Sequence, residues 1–157
     1  MTFNRIADAL EVNPDWLQSG TGIPYVNKEN KSNIFKVPLF DLNYQAIKNS
    51  ETKQLHSLIV DSNKISEDLF CVNLDNSSME PIFKEKTLLI FSRDKTPENK
   101  NYVLAFIPSV QEVVFRQLLI EGKRRFLKAE NPIFSHYTQD LDFEILGVLI
   151  EARFCFD

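Results

Sequence analysis

Glycine is scarce in this chain, with 4 residues in 157. Glycine supplies much of the left-handed backbone that tight turns need, so four is few for a protein built on many hairpins. Cysteine and histidine are scarcer, at two each. Cys71 and Cys155 lie in apolar alternating runs and read as small core residues of a reducing compartment. Two scattered cysteines with His56 and His136 do not make the spacing of a metal site, and no cofactor is implied. No apolar run approaches the roughly 18 residues of a membrane span. No basic-then-apolar leader opens the chain, so the expectation is a soluble cytoplasmic protein. Positive charge is in deficit, with 18 Lys and Arg against 22 Asp and Glu and a net charge of −4. That argues against the whole body lying on a phosphate backbone, and leaves room for a small basic element that does.

What is present suffices for a real core. Hydrophobic residues make up 43%, Phe alone contributes 13, and 25% charged residues argue against wholesale disorder. Phe3, Ile6, Ala7 and Leu10 fall on one helical face. Asn13-Pro14-Asp15 reads as an N-cap with Pro at the first helical position, opening a short helix with Trp16 and Leu17 that stops at Ser19-Gly20. Asn27 to Asn33 is an unbroken polar run, the composition of a solvated linker. The implied organisation is a helical appendage at 1–22, a linker at 23–34 and a main domain at 35–157.

In the main domain, strand signals recur at short intervals. A first strand falls at Lys36–Phe40, and the segment Asp41–Asp68 is open between short strands and a helical turn. Further strands read as Leu69–Leu74, Thr87–Ser92, Tyr102–Ile107, Glu112–Ile120, Arg125–Ala129 and Phe143–Phe154. The spacing predicts a mainly β, twisted and mostly antiparallel domain. Lys123-Arg124-Arg125 falls in a hairpin turn and reads as a solvated tip rather than a nucleic-acid patch.

Asn76-Ser77-Ser78-Met79-Glu80-Pro81 follows the strand that starts at Leu69. Proline lacks the N–H that a strand ladder requires, so the strand stops near Asp75 and Ser78 sits on a turn at its end. A hydroxyl there is placed as nucleophiles often are, on a connection held by a rigid sheet. Most turn serines only bond their own backbone.

The order of motifs decides between these readings. Ser78-Met79-Glu80-Pro81, Leu88-Leu89-Ile90, Tyr102-Val103 and Glu112 to Leu118 are followed by Phe126 to Pro132 and Ile145-Leu146-Gly147-Val148. In that order they resemble the C-terminal domain of LexA-type and phage CI-type repressors. Arg5 to Val12, with Pro14 to Leu17 and Ser19 to Gly22, resembles the last two helices of a repressor helix-turn-helix headpiece. The groove-reading helix of that headpiece would precede Met1, so a DNA operator is expected as partner only if a full headpiece exists upstream. The resemblance implies dimerisation through the C-terminal domain, in the region Phe143 to Phe156. It also implies a peptidase that cuts its own linker with a serine nucleophile and a neutral lysine base, and it places Ser78 at the serine.

Three departures accompany the resemblance. Arg116 stands where the family has the lysine. A guanidinium remains protonated and cannot accept the serine proton. The Ala-Gly or Cys-Gly pair that the family cuts is missing, since Gly20 and Gly22 are the only glycines before Ser78. Asn76, Lys86 and Lys100 replace glycines common in the family, at turns where a positive φ is expected. Lys84, Lys86 and Lys128 are the remaining lysines with any positional claim, and read as surface residues; His56 and His136 have none. The expectation is a dimerising regulatory module of a repressor without self-cleavage. The alternatives are an active serine peptidase of the same fold, and an interaction-only protein that pairs with an intact repressor.

Overall fold

The computed structural model describes residues 3–10, 12, 14–21, 34–50, 54–59, 68–137 and 142–156. The chain divides into two compact units, Met1–Asn33 and Ile34–Asp157. The first contains α1 (Phe3–Leu10) and α2 (Pro14–Ser19). Gly20 closes α2 with φ 69°, its N–H donating to the Trp16 carbonyl at 2.8 Å. That is the left-handed C-terminal stop that glycine adopts at little cost. The N-cap expected at Asn13 and the linker expected at 23–34 lie outside the described residues, apart from Ile34.

Among its described residues, the second unit holds eight strands, one short α-helix and a 3-10 helix at Pro132–Tyr137. In chain order the strands and the α-helix are β1 (Ile34–Phe40), α3 (Tyr44–Lys48), β2 (Gln54–Ile59), β3 (Leu69–Asn73), β4 (Leu88–Ser92), β5 (Tyr102–Ile107), β6 (Glu112–Glu121), β7 (Arg124–Lys128) and β8 (Glu144–Arg153). They form one sheet in the order β2-β1-β3-β4-β8-β5-β6-β7. Every pairing is antiparallel except β1 with β3, which run parallel over Leu39 and Phe40. The fold is thus mainly β and mostly antiparallel, as the strand spacing predicts. The open segment 41–68 contains both kinds of structure. Asn43 caps α3 by accepting from the N–H groups of Gln45 and Ala46, and β2 pairs along β1.

Alternation along the strands builds the core on two faces. On β5, Leu104 and Phe106 join a cluster with Phe70, Phe91, Phe115 and Met79. Their neighbours Val103, Ala105 and Ile107 join another with Leu118, Leu127 and Val148. β3 behaves alike, with Phe70 and Val72 in the first cluster and Leu69 and Cys71 in a third. Four consecutive buried residues on β3 show that both of its faces are covered. β8 departs from simple alternation. Its pairing skips a residue opposite Ile90/Phe91 and again opposite Leu104/Ala105. Leu146 therefore falls in the first cluster while Val148, two residues on, falls in the other. Such bulges add twist and let one strand serve both layers.

The two cysteines part company. Cys71 is buried, its thiol lies 3.4 Å from the Pro38 carbonyl, and burial pushes its pKa up to about 11. Cys155 is exposed, which corrects the core reading. β8 ends at Arg153, so the alternation that would bury Cys155 has stopped. Phe154 and Phe156 share that position and are also exposed, packed edge-on against each other at 5.0 Å. The Lys123-Arg124-Arg125 tip is exposed beside Gly122, which turns with φ 59°.

Lys86 and Lys100 occupy the left-handed region at φ 71° and 70°. A Cβ in that conformation costs about 1–2 kcal/mol. At Lys100 the N–H donates to the Leu118 carbonyl and the Leu118 N–H donates to the Asn101 carbonyl, both at 2.7 Å, while the Lys100 carbonyl accepts from the Gln117 side-chain amide at 3.2 Å, so none of these bonds uses the Lys100 side chain. Lys100→Gly keeps those bonds and removes the strain, against about 0.5–1 kcal/mol of added unfolded-chain freedom. The expected result is a gain of about 0.5–1 kcal/mol, seen as a higher urea midpoint. A lower midpoint would mean that the Lys100 side chain holds the turn.

Candidate functional site

The site begins where β3 ends. The Leu74 N–H donates to the Thr87 carbonyl and the Lys86 N–H donates to the Leu74 carbonyl, closing the loop that carries Ser78 onto the start of β4. Within the loop, Asn76 Oδ1 accepts from the Ser78 N–H at 3.1 Å. Asn76 is not in the left-handed region, so it replaces a turn glycine by capping with its side chain. Met79 is fully buried in the main cluster and anchors the turn. Glu80 is half-buried, and its bond to the exposed Pro81 is cis.

A second clamp comes from beyond β7. Asn131 donates its backbone N–H to the Ser78 carbonyl and its side-chain amide to the Ser77 carbonyl, each at 3.0 Å. Its Oδ1 accepts from the Ile133 N–H at the start of a 3-10 helix, Pro132–Tyr137. The neighbouring Glu130 accepts from the Tyr102 hydroxyl at 2.9 Å. Sequence reasoning used Asn131 only as part of a motif and missed this role. An Asn-Pro pair ahead of a turn is the signal that could have suggested it.

Ser78 and Arg116 meet. Ser78 is 2% exposed and Arg116 is 8% exposed on β6. Arg116 Nη1 donates to Ser78 Oγ at 2.8 Å and to its neighbour's carbonyl, that of Phe115, at 2.8 Å. Both Nη1 protons are thereby used. Nε is enclosed and has no hydrogen-bond partner. Burial pulls the guanidinium below its ordinary pKa, while Glu112 opposes the shift. The pair opens on a cleft of about 850 Å³, walled by Leu42, Tyr44, Phe106, Val113 and Phe134. Tyr44 stacks on Phe106 with ring centroids 3.7 Å apart, and its hydroxyl donates to Glu144, which also pairs with Lys48 at 2.6 Å. That network holds α3 against one wall of the cleft.

Chemically, this contact runs the wrong way for nucleophilic attack. A serine is activated when a neighbour accepts its proton. Here a cation donates to Oγ and withdraws electron density from it. A lysine base needs a desolvated amine, yet Lys84, Lys86 and Lys128 are all exposed. Lys128 faces Glu130 at 3.9 Å. The side chains of His56 and His136 lie outside the described residues. Among the described residues no group of His, Cys, Asp and Glu could hold a metal ion, and no helix is long and apolar enough to cross a membrane.

A serine on a turn at the end of β3, faced by a buried cation from β6 with three strands between them in the sheet order, is the arrangement of a serine-peptidase-like β-domain. The sequence profile of the Peptidase S24-like family matches residues 35–150, and the chain belongs to that family. It is similar to an uncharacterised HTH-type transcriptional regulator of Coxiella burnetii, 27% identical over 94 residues, covering 57% of this chain and 43% of that protein. It is also similar to repressor protein C2 of Salmonella phage P22. That match is 23% identical over 162 aligned positions and covers 94% of this chain and 74% of the repressor. The chain thus spans under half of the first relative and about three-quarters of the second.

Proposed function

We propose that this protein is the regulatory module of a transcriptional repressor in which the S24-type site no longer cuts. The observation that carries the reading is the 2.8 Å hydrogen bond from Arg116 Nη1 to Ser78 Oγ. A guanidinium with a pKa above ~12 in water remains a donor and has no lone pair with which to take the serine proton. Ser78 then stands at a nucleophile position without a base, and Arg116 at a base position without basicity. The repressor and regulator names of the two relatives support the wider role. Operator binding would belong to a helix-turn-helix headpiece of which α1 and α2 resemble the last two helices.

Dimerisation belongs to the same proposal. Phe154 and Phe156, exposed just past the end of β8, supply apolar surface for a second copy. An aromatic pair left in water is a natural interface anchor.

Purified protein held at alkaline pH is expected to stay a single band on a denaturing gel, and a fluorophosphonate probe is expected to leave Ser78 unlabelled. Two fragments that vanish in Ser78→Ala would overturn the reading. Light scattering of the same sample at tens of micromolar is expected to give the mass of a dimer. A monomer mass would remove dimerisation from the proposal.

A further inference from the structure

The sheet ends at β7. That strand pairs with β6 on one side, and among the described residues no strand lies on its other side. The backbone N–H and C=O groups along such a free edge are a template on which an extended chain can add as a further strand.

The side chains of β7 select what can add. Arg124, Phe126 and Lys128 share one face, opposite Glu121, Leu119 and Gln117 of β6. Arg124 and Lys128 are exposed, and Phe126 between them is half-buried. Among the described residues neither Phe126 nor its partner Leu119 joins a core cluster. Lys123, in the turn before β7, adds a third exposed cation beside Arg124. Arg125 belongs to the other face, where its guanidinium lies over the Phe143 ring at 5.0 Å. One face of the edge strand therefore presents a cation, an aromatic ring and a cation at alternate positions.

Two carboxylates lie close by, Glu121 opposite Arg124 and Glu130 at 3.9 Å from Lys128. Glu130 lies past the end of β7 and also accepts from the Tyr102 hydroxyl. A chain added at the free edge would run about 5 Å from β7 and about 10 Å from β6. Its acids would meet Arg124 at about half the distance to Glu121, and the longer distance exceeds the roughly 8 Å Debye length of physiological salt. A second copy of β7 is a poor occupant, because its own cations would face Arg124 and Lys128. A phosphate backbone is disfavoured by the two carboxylates and by the net charge of −4.

We propose that the free edge of β7 is a docking site for an extended acidic segment of a partner protein, which adds to the sheet as a strand. Its two acids, four positions apart, sit beside Arg124 and Lys128, and a β-branched residue midway between them sits beside Phe126, a favoured cross-strand pairing. The site uses neither Ser78 nor Arg116, so it stands or falls independently of the non-cutting reading.

The test follows the backbone amide resonances of the full chain by NMR during titration with the blocked peptide Thr-Glu-Thr-Val-Thr-Glu-Thr. Shifts are expected along β7, and the same peptide with Lys in place of Glu is expected to bind at least about tenfold more weakly, the effect of exchanging two favourable cross-strand charge pairs for two unfavourable ones. Strand addition uses the N–H groups of alternate peptide residues. Of two isomers N-methylated on alternate residues, one is therefore expected to lose binding and the other to keep it. The proposal falls if β7 does not shift, if the Glu and Lys peptides behave alike, or if both methylated isomers bind as the parent does. It also falls if a DNA duplex binds this edge more tightly than the acidic peptide at the same salt. The double variant Arg124→Glu with Lys128→Glu alters two exposed side chains and is expected to reverse the preference, binding the Lys peptide more tightly. An unchanged preference would overturn the proposal. Should that variant not fold, the titrations of the unaltered chain decide alone.

Discussion

Replacing Phe91 with alanine is expected to lower the unfolding free energy by about 3–5 kcal/mol. Phe91 is fully buried on β4 at the middle of the sheet order. Its ring stacks on Phe70 at 5.4 Å and meets Phe115 edge-on at 5.7 Å. Truncation removes both aromatic pairs and leaves a hole that close-packed neighbours fill only in part. Phe115 is the residue immediately before Arg116, so the damage also reaches the cleft. The measurement is urea unfolding followed by far-UV circular dichroism. Tryptophan fluorescence is the wrong probe, because the sole tryptophan, Trp16, belongs to the helical unit. A midpoint within the scatter of the unaltered protein would mean that the central aromatic stack contributes little.

The second large effect comes from adding one methyl group. At Gly147 on β8, a Cβ would lie 2.9 Å from Phe70 Cε1, 3.0 Å from Phe70 Cζ and 3.0 Å from Phe91 Cβ. The Phe70 ring is fully buried and cannot swing aside, since it also packs against Phe40 and lies under the Arg93 guanidinium at 4.8 Å. Phe91 Cβ is tied to the backbone of β4. Gly147→Ala is therefore expected to destabilise the fold by about 1–3 kcal/mol through overpacking. The backbone at Gly147 is not left-handed, so the cost comes from space alone. The pairing of this variant with Phe70→Ala, which removes the Cε1 and Cζ atoms nearest the new methyl group, is diagnostic. If the clash is the cause, the double variant loses less than the sum of the two single losses. Strict additivity would show that Gly147 matters for some other reason.

Much of this architecture is legible in the residues. Alternating apolar positions mark β3 to β8 to within a residue or two at each end, because a strand buried on a core face must repeat every second residue. Proline marks the end of β3 before Ser78, because it cannot donate to a ladder. Segment 41–68 resists such reading. α3 has only 5 residues and depends on the Asn43 cap and on Tyr44 meeting Phe106, a partner distant in sequence. Cys155, Phe154 and Phe156 mislead for a related reason. Their alternation continues past Arg153, but no neighbouring strand remains for them to pack against.

The turn positions show the same division. A reader of the sequence can see that Asn76, Lys86 and Lys100 stand where glycine would be comfortable. Only the backbone distinguishes Asn76, which avoids a positive φ by capping, from the two lysines, which accept one.

By itself the sequence determined the chemistry available at the site: a turn serine, an arginine in place of a base, and the order of motifs around them. Those are local facts, set by residue type and spacing. The tertiary structure alone decided that Arg116 reaches Ser78, that Nη1 bonds both Ser78 Oγ and the Phe115 carbonyl, and that Nε is enclosed without a partner. The two residues are 38 apart in the chain. Their contact depends on strand order and on the Asn131 clamp, which arise from packing between distant segments and leave no periodic signal in the sequence.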